Sequence, residues 1–73
     1  MNAHDLNRYV NEREVSRITG LALQTLRNYR SKGTGPVYCK LGRSVRYPLA
    51  DLFRWLESHR IQTNETGNRE AAG

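Results

Sequence analysis

The arginines are the side chains with the most chemistry to offer. Ten of the twelve cations are Arg, and the formal net charge is +5. A guanidinium is a planar fork of donors that matches phosphate oxygens and the O6/N7 edge of guanine. From residue 15 to residue 50 there is no Asp or Glu, while the stretch carries Arg17, Arg27, Arg30, Lys32, Lys40, Arg43 and Arg46. The acids lie toward the two ends of the chain. A one-sided basic field of this kind favours a polyanionic partner, nucleic acid before others, over a merely solubilising surface. Gln24, Arg27 and Asn28 stand three and four residues apart, the spacing of one helical face. Gln and Asn pair bidentately with adenine, and Arg pairs with guanine. Thr25 beside them suits a phosphate contact or an internal cap. Arg43 and Arg46, supported by Lys40 and Ser44, make a second group. Arg30 and Lys32 are candidate phosphate contacts, Arg30 having the alternative of pairing with an acid of the fold.

Other chemistries find no support. His4 and His59 have no partner cysteine at ligand spacing, so no metal site is expected. Cys39, the single cysteine, permits neither an internal disulfide nor a CxxC site. No glycine-rich loop follows a strand and opens a helix, and nothing orients a Cys-His nucleophile. No enzyme activity, cofactor or small-molecule substrate is expected. No apolar run reaches the roughly 18–20 residues of a membrane span, and the polar start MNAHDLNRYVNERE is not that of a signal peptide. A cytoplasmic protein is the simplest expectation.

Seventy-three residues hold one domain at most. Residues 1–8 read as a flexible polar leader, residues 9–60 as the domain, and residues 61–73 as a disordered polar tail. NERE at residues 11–14 is a capping box, with Asn11 as cap and Glu14 reaching back. A helix over residues 12–19 follows, with Val15 and Ile18 inward, Leu21 just beyond, and Gly20 ending it. A second helix over about residues 23–31 packs Ala22, Leu26 and Tyr29. Leu23 at its start suits the core or a thymine methyl. KGTGP at residues 32–36 breaks the chain. VYCKL and SVRY then alternate around Gly42-Arg43, predicting a β-hairpin. Its parity puts Val37, Cys39, Leu41, Val45 and Tyr47 inward. Tyr38 faces outward, and Lys40, Arg43, Ser44 and Arg46 are presented on the outer face and tip. A third helix over about residues 49–59 buries Leu52, Trp55 and Leu56, with Phe53 at the margin.

The predicted fold is therefore mainly α with a small β-hairpin. Helix, turn, helix, hairpin, helix is the layout of a winged helix-turn-helix domain. In that layout the second helix enters a major groove, and the hairpin wing reaches phosphate or the minor groove.

The residues carry a resemblance as well. Glu14-Val15, Gly20, Thr25-Leu26 with Tyr29, Gly35-Pro36, Leu41-Gly42, Val45-Arg46-Tyr47 and Asp51-Leu52 with Trp55-Leu56 occur in this order. The set resembles the excisionase and AlpA-like family of MerR-type winged helix-turn-helix domains over residues 9–57. Ala22 stands where that family often has a capping Ser, a loss of typically about 1 kcal/mol. It predicts a second helix that starts late or firms up on DNA. Tyr29 stands where a Trp is usual. The resemblance implies non-catalytic binding of double-stranded DNA. One role is a recombination directionality factor that bends DNA and helps an integrase excise a phage or mobile element. The other is a transcriptional regulator. It further implies cooperative self-association on DNA, an integrase contact in some members through a C-terminal tail (here residues 61–73), and a bacterial or phage origin with nucleoid association. A protein-interaction module such as an anti-repressor is the reading of another class.

Overall fold

The computed structural model describes residues 6–63. Its elements are β1 (Tyr9–Val10), α1 (Glu12–Thr19), α2 (Leu23–Lys32), β2 (Cys39–Leu41), β3 (Ser44–Pro48) and α3 (Leu49–Ser58). The three strands form an antiparallel sheet in the order β1-β3-β2. The expected leader and tail lie largely outside the described residues. Where the leader meets the domain, the Arg8 carbonyl accepts from the Leu49 amide at 2.9 Å.

The three helices stand where the periodicity put them, to within a residue. Asn11 caps α1 by accepting from the Glu14 amide at 3.0 Å. The return arm of the expected capping box is not made. The Glu14 carboxylate instead takes Arg17 at 2.8 Å, where a cation offers a charge-assisted bond. Gly20, left-handed at φ 79°, ends the helix. The turn into α2 is clasped by side chains. Ser16 Oγ donates to the Leu21 carbonyl at 2.6 Å. Thr19 Oγ1 donates to the Val15 carbonyl at 2.8 Å and accepts from the Leu21 amide at 3.1 Å. Helix α2 begins at Leu23 with no side-chain cap on Ala22, so the missing Ser does not delay it.

Val10, Val15, Leu26, Tyr47, Leu49 and Leu52 form the buried core. Ile18, Leu21, Tyr29, Val45, Phe53, Trp55 and Leu56 pack around it, half-buried. Ala22, expected inward, is exposed. Strand β1 was not expected. Two residues carry too little alternation to announce a strand, and Val10 enters the core by pairing with Tyr47.

The hairpin corrects the sequence reading of β2. Cys39 pairs with Arg46, Lys40 with Val45 and Leu41 with Ser44. Directly opposed residues of an antiparallel pair share a face. Val45 and Tyr47 lie on the core side, so Lys40 shares their face, and Cys39 and Leu41 share that of Ser44 and Arg46. Leu41 is 61% exposed and Val37 57%. Tyr38, expected outward, rests against Tyr47 with ring centroids 6.0 Å apart. The cause is the loop. Two residues, Gly42 and Arg43, connect the strands, with positive φ at Gly42 alone, the pattern of a type II′ turn. A two-residue loop forces Leu41 opposite Ser44. Leu41 and Val45 would share a face only across a loop with an odd number of residues, such as three.

Tyr29 anchors α2 to α3, edge-on to Trp55 at 6.0 Å between centroids. The chain then folds over Tyr29 at Gly35, where φ is +85° and an added Cβ would lie 2.7 Å from the Tyr29 Cβ. Gly35→Ala is expected to cost about 2 kcal/mol or more, through the left-handed backbone and the clash together. Gly42→Asn meets nothing within 4 Å and is expected to cost under about 1 kcal/mol. Urea unfolding of the two variants beside the parent checks the ranking.

Candidate nucleic-acid interface

The fold gathers cations from three elements. Arg13 of α1, Arg30 of α2, and Arg43 and Arg46 of the hairpin line one open depression of about 390 Å³, together with Asn11, Glu12, Ser44 and Val45. A neighbouring shallow site is lined by Arg13, Ser16, Arg17 and Leu23. A third is lined by residues including Arg8, Arg17 and Arg46. The hairpin and the two N-terminal helices thus share a basic surface.

Gln24, Arg27 and Asn28 are exposed on α2. Gln24 Nε2 donates to Asn28 Oδ1 at 3.0 Å, so these two amides stand as a pair one turn apart. Thr25 is half-buried. Lys32 ends the helix and is exposed. On the hairpin, Lys40, Arg43 and Ser44 are exposed, while Arg46 is half-buried and donates from Nη1 to the Val45 carbonyl at 2.8 Å. The register separates Lys40 from Ser44 and Arg46, so the expected single cationic face of the wing is split between two faces. Among the described residues, Arg8, Arg13, Lys32, Lys40 and Arg43 have no ion pair.

Arg27 and Arg30 are not free cations. Glu12, the first residue of α1, accepts from both. Arg27 Nη2 donates to Oε2 at 2.7 Å and Nε to Oε1 at 3.3 Å. Arg30 Nη2 donates to Oε1 at 3.3 Å. Arg30 Nη1 donates to the Tyr47 hydroxyl at 2.6 Å, and its guanidinium lies 5.7 Å from the centre of the Tyr38 ring. Arg30 thereby takes the fold-internal role that the sequence reading weighed against a phosphate contact. The hydrogen bond from Arg27 holds the Glu12 carboxyl below its ordinary value; desolvation opposes this, and Arg30 adds to the lowering. Glu12 in turn raises Arg27. For Arg30, burial works downward and is outweighed by the bonds to Tyr47 and Glu12.

Sequence reasoning missed Glu12 and Arg13 as parts of this surface. Both fall inside NERE, between the Asn11 and Glu14 of the capping box, which assigns neither of them a role. The signal available for Arg13 was its partner at i+4, Arg17, on the same face of α1. Nothing local announces Glu12, which acts across 15 and 18 residues.

A helix pair with a clasped turn, an exposed polar second helix, a hairpin beside it and a third helix beneath define a winged helix-turn-helix domain. The chain matches the family model for a helix-turn-helix domain over residues 9–60, and it belongs to that family. A search of curated proteins finds no match. Among the described residues no helix is long and apolar enough to cross a membrane, and no group of three His, Cys, Asp or Glu gathers.

The Glu12 pairs make a signed prediction. A carboxyl whose value is lowered by folding contributes stability that is present above its unfolded value and is lost as pH falls through the folded one. Glu12→Gln removes this contribution. The stability gap between parent and variant is expected to be constant near neutrality and to close as pH drops below about 4.5. Thermal melts from pH 7 to pH 3 measure it, and a gap independent of pH would contradict it.

Proposed function

We propose that this domain binds double-stranded DNA in a sequence-specific manner, with α2 in the major groove and the β2–β3 hairpin on the flanking backbone. The observation that carries the reading is the shared depression, where Arg43 and Arg46 of the hairpin face the same space as Arg13 and Glu12 of α1, and Glu12 in turn holds Arg27 of α2. One duplex can then meet both. Gln24, Arg27 and Asn28 read base edges, with Thr25 beside them on the backbone. Lys32, Arg43 and Ser44 take phosphates, with Arg46 and Lys40 at the sides of the wing and Arg13 added from α1. Arg30 supports this surface from behind more than it touches DNA, since both ends of its fork are occupied.

The biological role proposed is that of an excisionase-type accessory factor, which bends DNA, binds adjacent sites cooperatively and assists an integrase in excising a phage or mobile element. The ordered set of motif pieces through residues 9–57 supports it. Such a factor carries out no catalysis of its own and acts in the cytoplasm, on the nucleoid. The proposed integrase contact, through residues 61–73, lies outside the described residues for most of its length.

Selection from a random duplex library at about 150 mM salt tests the reading. Tandem direct copies of a short motif are expected. One inverted pair would instead assign the chain to dimeric transcriptional regulators. No enrichment would point to a protein partner for the basic surface. If about five phosphates are contacted, the log–log salt slope of binding is expected near −4 to −5. Arg27→Ala is expected to cost about 1–3 kcal/mol on the preferred site and to relax one base position. Fluorescence anisotropy on preferred and scrambled duplexes measures both.

A further inference from the structure

We propose that Glu12 is a positioning residue for base reading: it grips one edge of the Arg27 guanidinium and leaves the other edge free for a guanine. The inference rests on the reading of α2 as the recognition helix. It concerns a residue of α1 that the helix-turn-helix layout alone does not assign to recognition.

A guanidinium has two edges on which two donors run side by side. Glu12 occupies the edge made by Nε and Nη2. Nη1 has no hydrogen-bond partner among the described residues, and Nη2 keeps its second hydrogen. The edge made by Nη1 and Nη2 is therefore complete, and two side-by-side donors are what the O6 and N7 of guanine accept. Arg27 is half-exposed, with 48% of its side chain accessible, and its bonds to protein among the described residues are those to Glu12 on the Nε/Nη2 edge.

A long arginine on a helix surface ordinarily loses rotamer freedom when it docks. Here much of that ordering is already present in the free domain. Glu12 is itself fixed, because Oε1 also accepts from Arg30, and Arg30 is fixed by the hydroxyl of Tyr47. The Tyr47 side chain is 1% exposed. A continuous line of bonds runs from the core to Arg27, and preorganisation of this kind raises affinity by lowering the ordering cost.

The carboxylate also sorts ligands. A phosphate contact depends chiefly on net positive charge, which Glu12 offsets. A guanine contact depends on two aligned donors, which Glu12 aligns. Pairing with Glu12 therefore weakens the value of Arg27 to any passing backbone more than its value to the correct base.

The test repeats the duplex selection with the 73-residue parent, Arg27→Ala, Glu12→Gln and Glu12→Asp, each first checked by thermal melting. Glu12→Asp retains the charge and the first-turn acid but shortens the reach to Arg27 by one methylene. Arg27→Ala is expected to flatten one column of the selected motif. Both Glu12 variants are expected to weaken that same column, by about fivefold or more for Glu12→Gln, and to spare the others. On a scrambled duplex, Glu12→Gln is expected to bind more tightly, with a salt slope steeper by about 0.9, the signature of one more phosphate contact. If Arg27→Ala flattens a column that both Glu12 variants leave intact, recognition by α2 stands and the positioning role falls. An even loss over all columns would mark Glu12 as a support of the fold alone and overturn the proposal. If the parent selects no motif, the function and the inference fall together. Should Glu12→Gln melt too low to assay, the Arg27-dependent column in Glu12→Asp decides alone.

Discussion

The hydroxyl of Tyr47 is the point on which the rest of the surface depends. Its ring lies in the core cluster with Val10, Leu26 and their neighbours, and its strand is the centre of the sheet. Its oxygen accepts from Arg30 of α2 at 2.6 Å. Strand, recognition-helix candidate and, through Glu12, the first helix are thus tied at one junction. The geometry has an energetic reason. Arg30 is largely covered, and a half-buried guanidinium needs its donors satisfied. Tyr47 and Glu12 satisfy both of its ends, while the Tyr38 ring covers its face. The angle between helix and sheet is fixed by a polar contact as well as by packing. With a core cluster of six buried residues among the described residues, such a contact carries more weight than it would in a large core.

Much of the architecture is legible in the sequence because it rests on local rules. Helices α1 and α3 follow from apolar spacing, and the break between α1 and α2 follows from Gly20. The hairpin follows from two alternating runs about Gly42. The failures are equally physical. The apolar pattern of VYCKL predicts a β2 parity in which the edge strand buries its apolar side. The loop length overrules that pattern, since two residues between strands leave one register only. Strand β1 is two residues whose pairing comes from β3, and a strand made by its neighbour leaves no local mark.

For the site, the sequence supplies the cations but not their state. The acid-free stretch of residues 15–50 suggests a field of seven unopposed charges. Two of the seven, Arg27 and Arg30, are opposed by Glu12, which lies only three residues before that stretch begins and reaches back across the domain. A third, Arg17, is met by Glu14. Segregation along the chain is not segregation in space once α1 packs beside α2. The same packing brings Arg13 to the hairpin side, where no reading of NERE as a cap would place it.

This pairing pattern divides the cations by what they are suited to do. Lys32, Lys40, Arg43 and Arg13 have no ion pair among the described residues, so each contributes its full charge to attracting a polyanion and to the salt dependence that follows. In the proposed function such side chains position without reading, because phosphate is the same at every step of a duplex. Arg27 is the opposite case. Its charge is offset and its orientation is supported, which in the proposed function suits it to reading a base more than to attracting a backbone. A domain with this little core cannot hold many side chains rigidly. In the proposed function, the carboxylate that holds Arg30 also aligns Arg27, while Arg13, Lys32, Lys40 and Arg43 stay without an ion pair among the described residues, a distribution that the size of the fold favours. In the proposed function, affinity then comes mainly from the hairpin and the helix ends, and specificity mainly from the middle of α2 with α1 standing behind it.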